Sequence, residues 1–232
     1  MFQGLNRLVG SVAVFSSVGV ARPIPTIGTR TDYGYTPVAT HMNEQWTEFA
    51  TALESGDPDR VNAVVDDIKD MDLGERIDLF DVCFDELTEM YAAADDGYVR
   101  QSVVRVAERL VPGIPTVMTL DTDDRSIGAN EADVRDQTDA LCGFLHEAIT
   151  DHDGRVRQSA KRALKDVCRT YDSLDDEETV EAIAHELRRM ADEYSGKQRK
   201  HLLEAKEDTE FTLQSLLGRI VEGFREEFKE EL

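Results

Sequence analysis

Lysine is scarce in this 232-residue chain: seven lysines and 19 arginines face 48 aspartates and glutamates. Cysteine is scarcer still. Cys83, Cys142 and Cys168 are far apart and embedded in apolar helical spacing, which excludes a disulfide framework and any paired zinc motif. A single tryptophan, Trp46, and few tyrosines leave no aromatic platform for stacking bases. No apolar stretch is long enough to span a bilayer; the longest, Leu8 to Ala21, has 14 residues. Runs of alternating apolar residues, the mark of a half-buried strand, are missing. Glycine-rich phosphate loops and nucleophile elbows are missing too. Together these absences remove most enzyme classes and leave a helical protein.

What is present begins with charge. A net charge of -22 carried mostly by carboxylates, with few long ammonium side chains, is the pattern of salt-adapted proteins, whose acidic surfaces stay hydrated when salt competes for water. The acidity is expected to be an adaptation to solvent and not a pointer to a basic partner. It is also uneven. Residues 1–41 hold Arg7, Arg22 and Arg30 against Asp32 alone, so the composition changes abruptly near Met42. Leu8 to Ala21 follows Arg7 and ends Gly19-Val20-Ala21, which resembles a secretory signal. Two readings stand side by side: a signal-like segment on a secreted protein, or a tail or misassigned start on a cytoplasmic one, with translation beginning at Met42.

From Met42 onward the apolar spacing is helical. Trp46, Phe49, Ala50 and Leu53 share one face; Asp57-Pro58 supplies a cap and a first-turn proline for a second helix. The phrase Asp96-Gly97-Tyr98-Val99-Arg100-Gln101-Ser102 returns as Asp153-Gly154-Arg155-Val156-Arg157-Gln158-Ser159, and Arg105 then matches Arg162. Gly56, Gly97, Gly154 and Gly196, read as the ends of first helices, set a period near that of two-helix repeats once residues 112–130, rich in Pro, Thr, Asp and Gly, are set aside as an inserted loop. The expected fold is all-α: a short α-solenoid of about four antiparallel helix pairs over residues 42–206. An amphipathic helix over 207–232 is then expected to cap the stack or to form a weak homodimer through residues 213–228.

Asp-Gly-x-Val-Arg followed by a small apolar residue resembles the start of the second helix of a HEAT repeat. The chain is therefore similar to HEAT-repeat proteins of the armadillo-like superhelix class, and its acidity to proteins of halophilic archaea. The resemblance is strong in the two repeats that begin at Asp96 and Asp153 and weak elsewhere. It implies that Arg100 and Arg157 pair with nearby acids such as Asp95 or Asp151 as a structural ladder.

Charge segregates between the helices of each pair. Residues 73–94 carry one arginine against six acids, residues 131–150 one against five, and residues 175–194 two against eight. The second helices invert the sign: residues 154–170 carry six cations against Asp166 alone. In stacked pairs the second helices lie on one side, so Arg105, Arg109, Arg155, Lys161, Arg162, Lys165, Arg169, Lys197 and Lys200 would line one basic groove. Arg155, Arg162 and Arg169 are seven apart and share a helix face. The expected function is a non-enzymatic interaction scaffold that holds an acidic protein or peptide. The alternatives are a nucleic-acid-binding repeat protein, to which basic second helices like those of HEAT-like DNA glycosylases point, and cations that merely pair with acids of adjacent first helices. Glu181 with His185, or His146 or His152 with acidic neighbours, could share a metal, but no second paired motif completes a site; no cofactor and no metal is expected.

Overall fold

The computed structural model describes residues 37–113 and 131–230. Among them the chain is all-α, with eight helices and no strand: α1 (Pro37–Glu54), α2 (Pro58–Asp70), α3 (Leu73–Ala93), α4 (Gly97–Leu110), α5 (Glu131–Ala148), α6 (Gly154–Ser173), α7 (Glu177–Glu193) and α8 (Gly196–Glu230). None of the helices searched is long and apolar enough to cross a membrane.

Local chemistry sets the helix ends. A helix leaves its first amides without partners, and short acidic side chains just before it accept from them. Asp57 takes the amides of Asp59 and Arg60, with Pro58 in the first turn. Asp72 and Glu75 close a capping box on α3, at 2.9 and 3.2 Å. The duplicated phrase supplies the same device twice: Asp96 accepts from the Tyr98 amide at 2.7 Å, and Asp153 from the Arg155 amide at 2.8 Å.

The helices pack mostly on their neighbours. The α3/α4, α5/α6 and α7/α8 pairs are each in contact, α1 touches α2 and α3, and α2, α4, α6 and α8 touch one another in series. The core they enclose is a single apolar cluster that includes Leu53, Leu87, Val103, Leu145, Val156, Leu164, Leu187 and Leu202. Each fully buried aliphatic side chain of this size contributes about 1.5–3 kcal/mol relative to leaving it in water. Aromatic rings reinforce the α3/α5 seam: Tyr91 and Phe84 of α3 both meet Phe144 of α5 edge-on, with centroids 5.1 and 6.2 Å apart.

Three boundaries differ from expectation. Helix α1 begins at Pro37, ahead of Met42. Helix α8 runs unbroken for 35 residues through position 206, so the second helix of the last pair and the C-terminal helix are one element. The four glycines are not equivalent either: Gly97, Gly154 and Gly196 are the first residues of α4, α6 and α8, whereas Gly56 lies between α1 and α2, and only Gly56 and Gly196 of the four have positive φ, +64° and +59°. The signal-like stretch Leu8 to Ala21 and residues 114–130 of the expected loop lie outside the described residues, as do the side chains of Leu216, Leu217, Ile220, Phe224 and Phe228.

Candidate anion-binding groove

Helices α2, α4 and α6 enclose a groove of about 950 Å³. One wall carries Tyr98, Gln101, Arg105 and Arg109 from α4; the other carries Arg155, Gln158 and Arg162 from α6; Val65 of α2 also contributes. These rows follow from helix geometry, since residues three and four apart lie on one face. Four of the nine cations expected in a groove therefore meet in one. The wall also contains Glu108, Asp153 and Asp166, so its charge is mixed.

The arginines of the groove are held lightly. Arg105 Nη2 donates to Asn62 Oδ1 at 2.9 Å, Arg155 Nη2 lies 2.8 Å from Asp153 Oδ2, and Arg162 Nη2 lies 3.9 Å from Glu108 Oε2. Arg155 and Arg162 are 55% and 60% exposed, so water competes for both pairs, although Arg155 holds Asp153 with both Nε and Nη2. Arg109 is exposed and has no carboxylate within 4.0 Å among the described residues. Glu108 is only 10% exposed. Burial raises its pKa, against the opposing pull of Arg162, Arg109 and Arg105, and Asp166 adds to the rise.

The remaining cations are placed elsewhere. Lys161 pairs with Glu204 at 2.7 Å and Lys165 with Asp208 at 3.7 Å, both on α8; Lys200 pairs with Glu204 at 3.6 Å and Arg169 with Asp166 at 3.2 Å. Lys197 is exposed and is not part of the groove wall. The reason is that α6 has a neighbour on each side. Its 155/162 row faces α4, while Lys161 and Lys165 face α8. Where these cations pair internally, their acids belong to second helices and not to adjacent first helices.

Arg100 and Arg157 form the deepest polar feature. Arg100 is 6% exposed; its Nε and Nη2 donate to the two oxygens of Asp151 at 2.7 and 3.3 Å, and its Nη1 to the carbonyls of Ala94 and Asp95 at 2.6 and 3.2 Å. Tyr91 Oη and the Asp153 amide donate to the same carboxylate at 2.7 and 2.6 Å. Arg157, 4% exposed, donates through Nη1 to the backbone carbonyl of Asp151 at 2.6 Å. The Asp95 carboxylate takes no part in these bonds: Arg100 bypasses its neighbour in sequence and spans two repeats.

Burial works against ionisation of Asp151, but the Asp153 amide, Arg100 and Tyr91 outweigh it and hold its carboxyl below the ordinary value. Asp153, bonded to the side chain and amide of Arg155, is brought down to about 2. Both are depressed in the folded state, so the stability they supply is present above the unfolded-state pKa, about 4, and is lost as pH falls toward 2. Chemical denaturation followed by circular dichroism should show the midpoint falling across that window, with a shallower fall in Asp151→Asn.

The residues that could have carried other chemistry lie outside the groove. Cys83, Cys142 and Cys168 are buried; burial pushes the first two up to about 12 and the third up to about 11, so all remain thiols. Trp46 Nε1 donates to Glu86 Oε2 at 2.6 Å, between α1 and α3 and outside the groove wall. Tyr171 is in the core, bonded to Asp139. Glu181 and His185 line a shallow depression with Arg188, Lys206 and Glu210. Among the described residues there is no group of three His, Cys, Asp or Glu placed to hold a metal ion. Sequence reasoning missed Gln101, Gln158 and Asn62; the first two stand in the duplicated phrase, which was their only signal.

No family model, curated protein or solved structure matches the chain.

Proposed function

We propose that this chain is a non-enzymatic helical-repeat scaffold, similar in plan to HEAT-repeat proteins, that docks an acidic segment of a partner protein in the groove between α2, α4 and α6. The serial contact of α2, α4, α6 and α8 supports stacked, antiparallel pairs with all second helices on one side. The observation that carries the reading is the meeting of Arg105, Arg109, Arg155 and Arg162 in a single groove of a protein with net charge -22. A carboxylate-rich segment can displace the weak pairs that Arg155 and Arg162 make, because exposed ion pairs contribute little. The acid excess over the rest of the surface suits a salt-rich cytoplasm and repels acidic chains from every other face.

The test uses a fluorescent twelve-residue polyglutamate peptide and its anisotropy, with single-stranded DNA of similar charge alongside. Binding of the peptide should be saturable and should weaken at least about 100-fold when Arg109, Arg155 and Arg162 are all changed to Glu. Changing Arg188 to Glu, outside the groove, should leave it unchanged. Equal affinity in the triple variant removes the groove from the function, and tighter, groove-dependent binding of the DNA replaces the protein partner with a nucleic acid. Glu108→Gln deletes an acid from the groove wall and should tighten peptide binding about fivefold, the effect of roughly 1 kcal/mol for two unit charges about 4 Å apart in water. The same titration measures it.

A further inference from the structure

Most of the described lysines and arginines lie within 4.0 Å of a carboxylate, as expected where acids outnumber bases. Among the described residues Arg76, Arg105 and Arg109 have no carboxylate within that distance; Arg105 and Arg109 line one end of the groove, and Arg76 lies beside Arg109, just outside the groove wall. Arg76, in the first turn of α3, donates through Nη1 to the backbone carbonyl of Arg109 at 3.5 Å. Its Nε is buried with no hydrogen-bond partner. Arg105 and Arg109 are one turn apart on α4, and Arg105 reaches only Asn62. Burial and the neighbouring charge of Arg109 both lower the pKa of Arg76. Glu108 is within electrostatic range of Arg105 and Arg109, but its ion partner is Arg162, at 3.9 Å.

Guanidinium groups brought together without carboxylates repel one another, and a buried N–H donor without an acceptor costs the desolvation of that group. A ligand that supplied a compact double negative charge and several acceptor oxygens would relieve the repulsion and offer acceptors to the exposed donors of these arginines. A carboxylate has one charge and two oxygens in a plane; a phosphoryl group carries close to two charges and three acceptor oxygens, and so can take donors arriving from different helices. Resting on the groove reading above, we propose that Arg76, Arg105 and Arg109 form a subsite for a phosphorylated serine within the acidic partner segment. The polypeptide would lie along the groove with its carboxylates toward Arg155 and Arg162, and its phosphate at the α3/α4 end.

Three acidic peptides of equal length, with a central serine, phosphoserine or glutamate, separate this idea from the groove itself. Anisotropy would be read at the lowest chloride concentration at which circular dichroism shows the helices intact. The phosphoserine peptide should bind about tenfold more tightly than the glutamate peptide, and inorganic phosphate should compete away that advantage alone. Arg76→Gln and Arg109→Gln should each erase the advantage while the glutamate peptide still binds; Arg155→Gln should weaken both peptides alike. Arg76→Lys, which keeps the charge but not the forked donors, gives a second variant if Arg76→Gln does not fold, and should lose most of the advantage. Equal affinity for the phosphoserine and glutamate peptides, or an advantage that survives both glutamine variants, overturns the subsite and leaves the groove standing. Binding of the phosphoserine peptide alone keeps the subsite and removes the wider groove; binding of none removes both.

Discussion

Asp151→Ala is expected to lower the unfolding free energy by about 3–5 kcal/mol, the cost of removing one partner of a buried ion pair and leaving the other behind. The side chains of Asp151 and Arg100 are only 5% and 7% exposed, so water cannot take over the bond. Three donors depend on it: the guanidinium of Arg100 on α4, the hydroxyl of Tyr91 on α3 and the amide of Asp153 at the head of α6. Asp95, also an aspartate and nearer to Arg100 in sequence, provides the control. Its side chain is exposed and Arg100 uses only its backbone carbonyl, so Asp95→Ala should change stability by less than about 0.5 kcal/mol. Urea denaturation of the two variants would decide: a difference of less than 1 kcal/mol between them would mean that the buried pair does not hold the repeats together.

Gly97→Ala should cost about 2–4 kcal/mol, whereas Gly154→Ala, at the matching position of the duplicated phrase, should be nearly neutral. A methyl group at Gly97 would stand 2.8 Å from Cβ of Asp153 and closer still to its carboxylate. At Gly154 the nearest atom is the tip of Arg157, an ordinary contact at 3.4 Å. Relief at Gly97 requires Asp153 to swing away, which adds a lost helix cap, about 1 kcal/mol, to a steric cost of about 1–3 kcal/mol. Differential scanning calorimetry should show a clear fall in Tm for Gly97→Ala and little for Gly154→Ala. Similar shifts in both would contradict the close approach of Asp153 to α4.

The all-α class and the caps of α2, α4 and α6 were readable because they are local: an aspartate, a glycine or proline, and apolar residues every three or four positions. The resemblance to HEAT repeats implied that Arg100 and Arg157 would pair with nearby acids such as Asp95 or Asp151. It could not say that Arg100 reaches across to Asp151 while Arg157 settles for that residue's backbone carbonyl. Such choices depend on the offset between helices, which no local spacing encodes. The groove was half visible for the same reason. Seven-residue spacing did put Arg155 and Arg162 on one wall, but α6 lies between two similar helices, and nothing in its sequence tells which of them each cation will face. Lys161 and Lys165 went to α8 because Glu204 and Asp208 await them there. Arg76 was missed because it belongs to an acid-rich first helix, where averaging over the segment hides a single cation.

The grip of Asp151 fixes more than stability. It ties α3, α4 and the leading end of α6 at one spot, and the Asp153 side chain fills the space over Gly97 beside it. Pinned where α3 ends and where α4 and α6 begin, these helices cannot spread there without exposing a charge to an apolar interior. An acidic segment of the kind proposed, lying between α4 and α6, would therefore meet a berth whose width was settled when the chain folded, and would spend little of its binding energy on reshaping the host.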